Sequence, residues 1–344
     1  MKYRTLGHTD LKISEIGFGI WTVSTPYWGN TDERDNIYLV HGALDLEINF
    51  FDTADTYGLG YGEEFIAKAL KHQRNNIVIS TKFGHTLELN ADSTQHGIQL
   101  KDFSGSYVRS ACERSLRRLN TDYIDLYQMH SSCSADMYND EIFETLDRLV
   151  NEGKIRYYGN VPGQEVLQPC NSDDLITNHG LASIQIKYNI LDQKLARNVI
   201  QAASSKQIGV LCREPHASGI LSSRYPDLAN YTHQGVSHTA IELSGDNLYN
   251  NADLEEMLMR MDNMDKIGLI SSLTEETNAT IDQIALKFIL SERSVASILP
   301  NITTTEQLAE YVSASDMPDL NSAMVKQIRE SFDDTTLQTD DLNN

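Results

Sequence analysis

Short runs of apolar residues alternate along the chain with longer segments in which apolar residues recur every three or four positions. The short runs are typical of buried parallel strands, and the longer pattern is typical of helices that cover a sheet on one face. The runs predict eight strands: Ile16–Gly19, Phe50–Asp52, Ile77–Thr81, Ile124–Met129, Ile155–Gly159, Ser183–Lys187, Gly209–Cys212 and Ser297–Leu299. The longer pattern predicts helices over Asp32–Leu46, Gly62–His72, Ser104–Leu119, Asp140–Glu152, Gln164–Pro169, Lys194–Ser204, Asn263–Asn278, Ile281–Ser291 and Glu306–Val312.

Repeated strand–helix units favour either a closed barrel or a doubly wound open sheet. A doubly wound dinucleotide fold should carry Gly-x-Gly-x-x-Gly after an early strand, but Gly17-Phe18-Gly19 lacks the third glycine and is followed by Ile20-Trp21. We therefore predict an α/β fold of the (β/α)8 TIM-barrel type. It forms one domain over residues 1–330, followed by a polar, frayed tail over residues 331–344.

Two further segments stand outside the repeat. The alternating residues from Tyr3 to Ile16 surround a Gly/Thr/Asp turn and predict an N-terminal β-hairpin. From Ser218 to Ala252, after the seventh strand, a polar segment has no clear period. A loop of this length is either a lid over a bound cofactor or an insertion without a role.

Charge and cysteine content restrict the partners. The formal net charge is -21, which argues against nucleic acid and anionic membranes and favours a small-molecule partner. The excess of acidic residues fits either a protein from a saline habitat or an ordinary cytosolic protein. Scattered cysteines predict reduced thiols in a cytoplasm, and the absence of His-x-x-x-His and Cys-x-x-Cys spacings predicts no metal site.

Four chemically active side chains stand at or just past the ends of three consecutive predicted strands. They are Asp52, Tyr57, Lys82 and His130. Each has an ordinary alternative: a helix cap, a loop anchor, a solvated lysine or a core histidine. Because parallel strands deliver their carboxyl ends to the same edge, their recurrence at that position predicts a common proton-transfer site.

The sequence resembles the aldo-keto reductases from Met1 to about Ser315. The matching motifs are Tyr3-Arg4-x-Leu6-Gly7, Gly17-Phe18-Gly19, Phe51-Asp52-Thr53-Ala54-x-x-Tyr57-Gly58, Ser80-Thr81-Lys82, Leu116-x-x-Leu119-x-x-Asp122-Tyr123-Ile124-Asp125-Leu126, His130 and Gly153-Lys154-Ile155-Arg156-Tyr157. The resemblance implies a barrel that binds a nicotinamide dinucleotide and interconverts a carbonyl and an alcohol.

The same resemblance implies that Asp52, Tyr57, Lys82 and His130 form the family's catalytic tetrad. The acidity of tyrosine shows why such a group of residues is needed: a phenol with a pKa near 10 is about three units too weak an acid to donate a proton at neutral pH. An ammonium group from Lys82 would favour the phenolate, and Asp52 would keep that ammonium charged. His130 would donate a hydrogen bond to the substrate carbonyl oxygen.

Departures from the family pattern concern the cofactor. Where the family continues Val-Ser-Asn after Gly159, this chain has Asn160-Val161-Pro162. Asn160 is predicted to replace the contact with the nicotinamide carboxamide, and Pro162 to change the loop. Gln185 matches a family glutamine that touches the same group, with a barrel-rim glutamine as the alternative.

The family's loop after the seventh strand matches Arg213 to Leu221. Ser218 and Gly219 are predicted at the pyrophosphate, and Arg213 either stacks on the nicotinamide or forms a salt bridge with Glu214 or another acid. Trp21 is also assigned to the cofactor side. With Tyr27, Trp28 and Phe83, it stands near the expected mouth, where the four aromatics form a substrate wall or serve as packing anchors.

The adenosine end is predicted at Asn301, Thr303 and Gln307. Family members that prefer the phosphorylated cofactor have Pro-Gly-x-Arg, then Gln and Glu-Asn, whereas this chain has Pro300-Asn301-Ile302-Thr303, Gln307 and Glu310-Tyr311. Since threonine supplies no charge for a 2'-phosphate, we predict NAD or NADP with a slight preference for NAD. Lys287 and Arg293 are the cations that would change this preference.

Two functional hypotheses follow. The first is an NAD(P)-dependent oxidoreductase acting on an aldehyde, ketone or sugar, with oxidation as the natural direction if NAD is preferred. The alternative is a weakly catalytic or non-catalytic regulatory barrel that binds the nicotinamide cofactor. A monomer or weak dimer is expected.

Overall fold

A computed structural model of the chain describes residues 1–24, 32–87, 99–133, 135–163, 176, 179–222 and 264–332. Its twelve strands in those ranges are β1 (Tyr3–Thr5), β2 (Lys12–Ser14), β3 (Phe18–Gly19), β4 (Phe50–Asp52), β5 (Val78–Phe83), β6 (His85–Leu87), β7 (Gln99–Lys101), β8 (Ile124–Ser132), β9 (Ile155–Pro162), β10 (Ser183–Lys187), β11 (Gly209–Arg213) and β12 (Val295–Leu299). The helices there are α1 (Trp21–Ser24), α2 (Glu33–Asp45), α3 (Tyr61–Ala69), α4 (Gly105–Leu119), α5 (Asp140–Asn151), α6 (Lys194–Ser205), α7 (Met264–Thr277), α8 (Ile281–Leu290), α9 (Thr305–Asp316) and α10 (Ser322–Ser331). Within those ranges, no helix combines the length and apolar character needed to cross a lipid bilayer.

Eight strands form one parallel sheet in the order β12-β11-β10-β9-β8-β5-β4-β3. A bridge between Ile16 and Ile298 joins the two edges, because Gly17 N–H donates to Ile298 O and Ile298 N–H donates to Glu15 O. The sheet is thereby closed into a barrel, and the predicted (β/α)8 fold is confirmed.

The N-terminal hairpin is confirmed and covers the end of the barrel where the strands begin. Strands β1 and β2 pair antiparallel. Leu6 and Leu11 flank the turn, are buried, and pack with barrel-interior residues such as Val78 and Leu211. Gly7 fits against backbone here, since a Cβ on it would lie 2.5 Å from Gly209 N. The apolar seal at this end leaves the opposite end of the barrel for a polar site.

Each predicted strand is present, with bounds moved by up to three residues. The prediction that Pro162 lies in an altered loop is wrong, because β9 continues through Pro162, which pairs with Ser132 at an irregular register. Proline is tolerated there because it is the last residue of the strand. The β6–β7 hairpin and helix α10 were not predicted.

Some predictions fall outside the described residues. These are the helix over Gln164–Pro169, most of the long segment after Ser218, and residues 333–344 of the tail. The first two residues of the predicted tail belong to the folded part, because Ser331 ends α10 and Phe332 is buried.

Candidate active site

The four predicted catalytic residues meet at the carboxyl ends of three neighbouring strands. Asp52 ends β4, Lys82 lies one residue before the end of β5, and His130 lies near the end of β8. Strand β5 pairs with both β4 and β8 in parallel, so all three side chains reach the same end of the barrel. Tyr57 joins them from the turn that follows β4.

Lys82 is the centre of the site. Its Nζ donates to Asp52 Oδ2 at 2.5 Å, to Thr53 O at 2.7 Å and to Tyr57 Oη at 3.3 Å. The side chain is fully buried. Burial acts most strongly and would lower the pKa of Lys82, but the Asp52 carboxylate and the Tyr57 oxygen together hold it above its usual value. The site therefore contains a buried ammonium next to a phenol.

Asp52 is held by further buried amides. Its Oδ1 accepts from Gln185 Nε2 at 3.1 Å and from Gln128 Nε2 at 3.3 Å. Gln128 also donates to Ser80 Oγ at 2.7 Å. Gln185, predicted to touch the nicotinamide carboxamide, therefore lies within the tetrad's hydrogen-bond network. Sequence reasoning did not identify Gln128 because a glutamine inside a strand has no distinguishing motif.

A left-handed turn places Tyr57. Gly58, Leu59 and Gly60 have φ of 57°, 58° and 97° in succession. A Cβ on Gly58 would lie 2.6 Å from Ser24 O, so this position requires glycine. The Tyr57 ring lies edge-on to Trp21 at 4.9 Å between centroids, so Trp21, predicted on the cofactor side, contacts the predicted catalytic phenol.

His130 lies across the site from the tyrosine, and the two ring centroids are 6.3 Å apart. Burial is the main reason that the pKa of His130 lies well below its usual value, and the charge of Lys82 adds to it. The imidazole is therefore neutral at neutral pH and has one N–H to donate.

His85 is a site neighbour that sequence reasoning missed. Its ring contacts His130 edge-on at 4.9 Å, and burial lowers its pKa to about 4. The signal available in the sequence was its position three residues after Lys82, just past a predicted strand.

The register of strand β9 fixes the side on which Asn160, predicted to contact the nicotinamide carboxamide, lies. Asn160 pairs with Met129 and Val161 pairs with His130 in the β8–β9 register. Since alternate residues of a strand face opposite sides, Asn160 lies on the face opposite His130. Its Oδ1 accepts from Ser132 Oγ at 2.5 Å, and its Nδ2 contacts Met137 Sδ at 3.3 Å. The position in line with His130 is apolar Val161.

The segment after β11 begins with an ion pair. Arg213 bonds to Glu214, which matches the second of its two predicted alternatives. Ser218 and Gly219 lie in a short 3-10 turn, in which Gly219 N–H donates to His216 O at 2.9 Å. Glu214, Ala217 and Gly219 all have positive φ, so this segment is tightly coiled.

The residues predicted at the adenosine end stand at the start of α9. Gln307 Oε1 accepts from Thr303 N–H at 2.7 Å and from Thr303 Oγ1 at 2.8 Å, and Gln307 forms a capping box with Thr304. Asn301 is half-buried just before them. Lys287, one of the two cations considered for this site, is engaged elsewhere, because its Nζ bonds to Asp319 at 2.5 Å.

The structure also places the remaining cation and Phe83. Arg293 lies in a cleft of about 660 Å³ that also holds Arg197, near Ser291 at the end of α8. Phe83 is a packing anchor and not part of a substrate wall, since it is fully buried and stacks on Tyr127 at 4.4 Å. Tyr27 and Trp28 lie outside the described residues. In the described part of the chain, no three His, Cys, Asp or Glu side chains group as metal ligands would.

Comparison with known proteins gives consistent matches over nearly the whole chain. The sequence profile described as the Aldo/keto reductase family matches residues 15–333. The aldo-keto reductase AKR11C1 from Bacillus halodurans, in its holo form, is 30% identical with a TM-score of 0.71, and 96% of each chain is covered.

Two curated relatives carry cofactor names. The NADH-specific methylglyoxal reductase of Escherichia coli is 28% identical over 97% of this chain and 100% of its own length. The aldo-keto reductase yakc [NADP(+)] of Schizosaccharomyces pombe is 26% identical over 93% of this chain and 89% of its own length.

Proposed function

The chain belongs to the aldo/keto reductase family, and on that basis we propose that it is an NAD(P)-dependent oxidoreductase that interconverts a carbonyl and an alcohol, with Tyr57 as the proton donor. The observation that carries this proposal is the buried Lys82 ammonium, which bonds to Asp52 and Tyr57 at once. An ammonium placed in this way stabilises the phenolate that proton donation leaves behind.

Three residues divide the proton chemistry. Tyr57 gives its hydroxyl proton to the carbonyl oxygen, and Lys82 stabilises the resulting phenolate. Asp52 keeps Lys82 charged, which matters because the lysine is fully buried and would otherwise tend to lose its proton. In the oxidative direction, the same phenolate accepts the proton from the alcohol.

His130 orients the carbonyl. A neutral imidazole donates one hydrogen bond and adds no second positive charge beside Lys82, so it polarises the carbonyl without competing for the Tyr57 proton. His85 packs against this ring and excludes water from one side of it.

The residues present fit a nicotinamide dinucleotide, which supplies or accepts the hydride when bound. Gln185 carries an amide at the Asp52 end of the site, and the 3-10 turn Ala217–Gly219 lies in the segment that matches the family's pyrophosphate loop. The twelve-residue helix α9 directs its positive N-terminal end towards the predicted adenosine side.

We propose NAD as the preferred cofactor. Thr303 stands where a 2'-phosphate would need a cation, and its hydroxyl and amide already donate to Gln307. Lys287 is bonded to Asp319. The NADH-specific relative agrees with this preference, while the NADP(+)-named relative shows that both cofactors occur among similar chains. The substrate is an aldehyde, ketone or sugar, and the protein acts in the cytoplasm as a monomer or weak dimer.

The test of catalysis is the variant Tyr57→Phe. Removing the hydroxyl should lower kcat for carbonyl reduction by about 10²- to 10⁴-fold, whereas the Kd for NADH should stay within about twofold. Methylglyoxal and glyceraldehyde are suitable probe substrates, followed at 340 nm. Unchanged kcat in Tyr57→Phe would reject the assigned proton donor.

The test of cofactor preference is calorimetric titration with NADH and NADPH in parallel. NADH should bind at least about tenfold more tightly, a difference of about 1.4 kcal/mol. Thr303→Arg should reduce or reverse that ratio, while Thr305→Arg, an exposed position two residues on, is the matched control. Tighter binding of NADPH by the wild type would reject the preference.

A third outcome bears on the regulatory alternative. If the wild type binds a nicotinamide dinucleotide but reduces none of a broad aldehyde and ketone panel, the regulatory barrel becomes the better account.

A further inference from the structure

One carboxylate is buried behind the proposed cofactor site and is not part of the catalytic tetrad. Asp282 lies in the first turn of α8 and is 1% exposed. Its Oδ1 accepts from Ser222 Oγ at 2.9 Å and from Tyr311 Oη at 3.3 Å. His216 Nε2 lies 3.8 Å from the same oxygen. Two hydroxyls thus donate to one carboxylate oxygen, and the His216 imidazole lies beside it.

These partners come from two different parts of the chain. His216 and Ser222 flank the 3-10 turn after β11, and Tyr311 belongs to α9. Under the proposed function, on which this inference rests, the first part lies at the pyrophosphate and the second at the adenosine. Asp282 therefore connects the supports of both halves of the cofactor.

We propose that Asp282 is a positioning residue for dinucleotide binding, which fastens the segment Glu214–Ser222 to helix α9 through Ser222, His216 and Tyr311. The carboxylate touches neither cofactor nor substrate in this arrangement. Its effect is on the shape of the segment that receives the pyrophosphate.

Backbone strain in the segment explains why it needs fastening. Glu214 and Ala217 are not glycines, yet they have φ of 56° and 47°. Non-glycine residues in the left-handed region are uncommon and persist where the surrounding structure fixes them. Gly219 N–H and Leu221 N–H both donate to His216 O, so anchoring the His216 residue also fixes the amides that follow it.

Packing supplies the second anchor for His216. Its ring lies against the Tyr311 ring with centroids 4.7 Å apart, and both side chains are buried. Tyr311 stands where the family pattern has asparagine. The tyrosine is long enough to pack on His216 and to donate to Asp282. This one difference from the family pattern on α9 therefore supplies two of the cluster's contacts.

The buried charge is compensated locally. Two hydroxyls donate to the carboxylate, and the N-terminal position in α8 places it in the positive end of the helix dipole. A buried carboxylate without such partners would be strongly destabilising. The cluster is therefore a built feature that a neutral substitution can test without leaving an unpaired charge.

The experiment compares Asp282→Asn and Tyr311→Phe with the wild type and with Asp147→Asn. The control carboxylate lies on α5 and accepts from Tyr158 Oη at 2.9 Å, so it resembles the Asp282–Tyr311 pair but belongs to a different part of the fold. Each protein is titrated with NADH and NADPH, kcat is measured at saturating cofactor, and amide hydrogen exchange is followed in peptides covering residues 214–222 without ligand.

We expect Asp282→Asn to raise the Kd for the preferred cofactor by about tenfold and Tyr311→Phe by about fivefold, with kcat at saturation within about twofold of wild type. Exchange in residues 214–222 should accelerate in both variants and stay unchanged in Asp147→Asn. Tyr311→Phe removes only a hydroxyl, so it keeps the test valid if Asp282→Asn folds poorly.

Two results would overturn the inference, and they are distinguishable from failure of the proposed function. If the wild type binds the cofactor and both variants bind it equally well, Asp282 does not position the segment. If exchange in residues 214–222 is unchanged in the unliganded variants, the fastening itself is absent. If the wild type binds neither dinucleotide, the proposed function fails and the positioning role fails with it.

Discussion

Lys82 shows at the residue scale how a buried charge is kept in this protein. The ammonium is fully buried, but it has a carboxylate, a carbonyl and a phenol within hydrogen-bond distance. The carboxylate in turn accepts from Gln128 and Gln185. Because each polar atom in this group has a partner, removing one member should cost more than one hydrogen bond is worth.

Asp52→Asn is the first residue-scale prediction. It leaves Lys82 buried beside a neutral amide, so the free energy of unfolding should fall by about 3 to 5 kcal/mol at pH 7. The double variant Asp52→Asn/Lys82→Met should recover part of that loss, since no buried charge remains. Urea denaturation followed by circular dichroism measures both, and a double variant less stable than Asp52→Asn would contradict the argument.

Asp55 gives the second residue-scale prediction. Burial, with help from Glu63, raises the pKa of Asp55 to about 8 against the opposing charge of Arg118. The folded protein therefore keeps this proton between about pH 4 and pH 8 while the unfolded chain has lost it, so stability should decline as pH rises through that window. Asp55→Asn should flatten the decline.

The measurement is the thermal midpoint of wild type and Asp55→Asn at pH 5 and pH 8. The variant should gain more at pH 8 than at pH 5. Asn76→Ala is the control, because this exposed residue has no titratable group, so its substitution should shift both midpoints equally. An equal gain at both pH values would reject the raised pKa of Asp55.

At the scale of elements, the hairpin and the barrel depend on close backbone contact. A Cβ on Gly209 would lie 2.5 Å from Leu6 Cδ1 and 2.7 Å from Gly7 N. Because this is the point where the hairpin meets the start of β11, the glycine is needed for space. The sequence contains no periodic signal for such a contact, since the two segments are some two hundred residues apart.

Gly209→Ala is the element-scale prediction. Overpacking at the hairpin should reduce the free energy of unfolding by about 1 to 3 kcal/mol. Gly268→Ala in helix α7 is the matched control, because a Cβ on Gly268 would have no neighbouring atom within 4 Å and alanine favours helix, so it should stabilise by up to about 1 kcal/mol. Equal effects of the two substitutions in chemical denaturation would contradict the packing argument.

The ends of elements were less predictable than their centres. Thr280 and Gln283 form a capping box at the start of α8, and Thr-x-x-Gln before an apolar run is a known sequence signal for this motif. Thr304 and Gln307 form the same motif at α9, but Gln307 was interpreted only through its match to a cofactor-binding position. A motif with two explanations cannot be assigned without knowing which atoms its side chain reaches.

On the scale of the whole molecule, the net charge of -21 acts on stability more than on fold. Like charges repel in the compact state, and salt screens that repulsion over a distance of about 10 Å at 0.1 M. Raising NaCl from about 20 mM to about 500 mM should therefore raise the thermal midpoint by a few degrees. Differential scanning calorimetry measures it, with sucrose as an uncharged control; a decrease with salt would reject the argument.

The sequence by itself determined the barrel, the hairpin, the order of strands and the four residues that meet in the candidate site. The elements follow from local periodicity, which can be read from the linear sequence. The site residues follow from motifs at strand ends, because neighbouring parallel strands bring their carboxyl ends to the same side of the barrel. Tertiary structure alone decided which face Asn160 occupies and that Lys287 is bonded to Asp319. It also brought His85 to His130, and His216 and Tyr311 to Asp282. The physical reason is that strand register and side-chain pairing are set by packing among distant segments, and such contacts leave no period in the sequence.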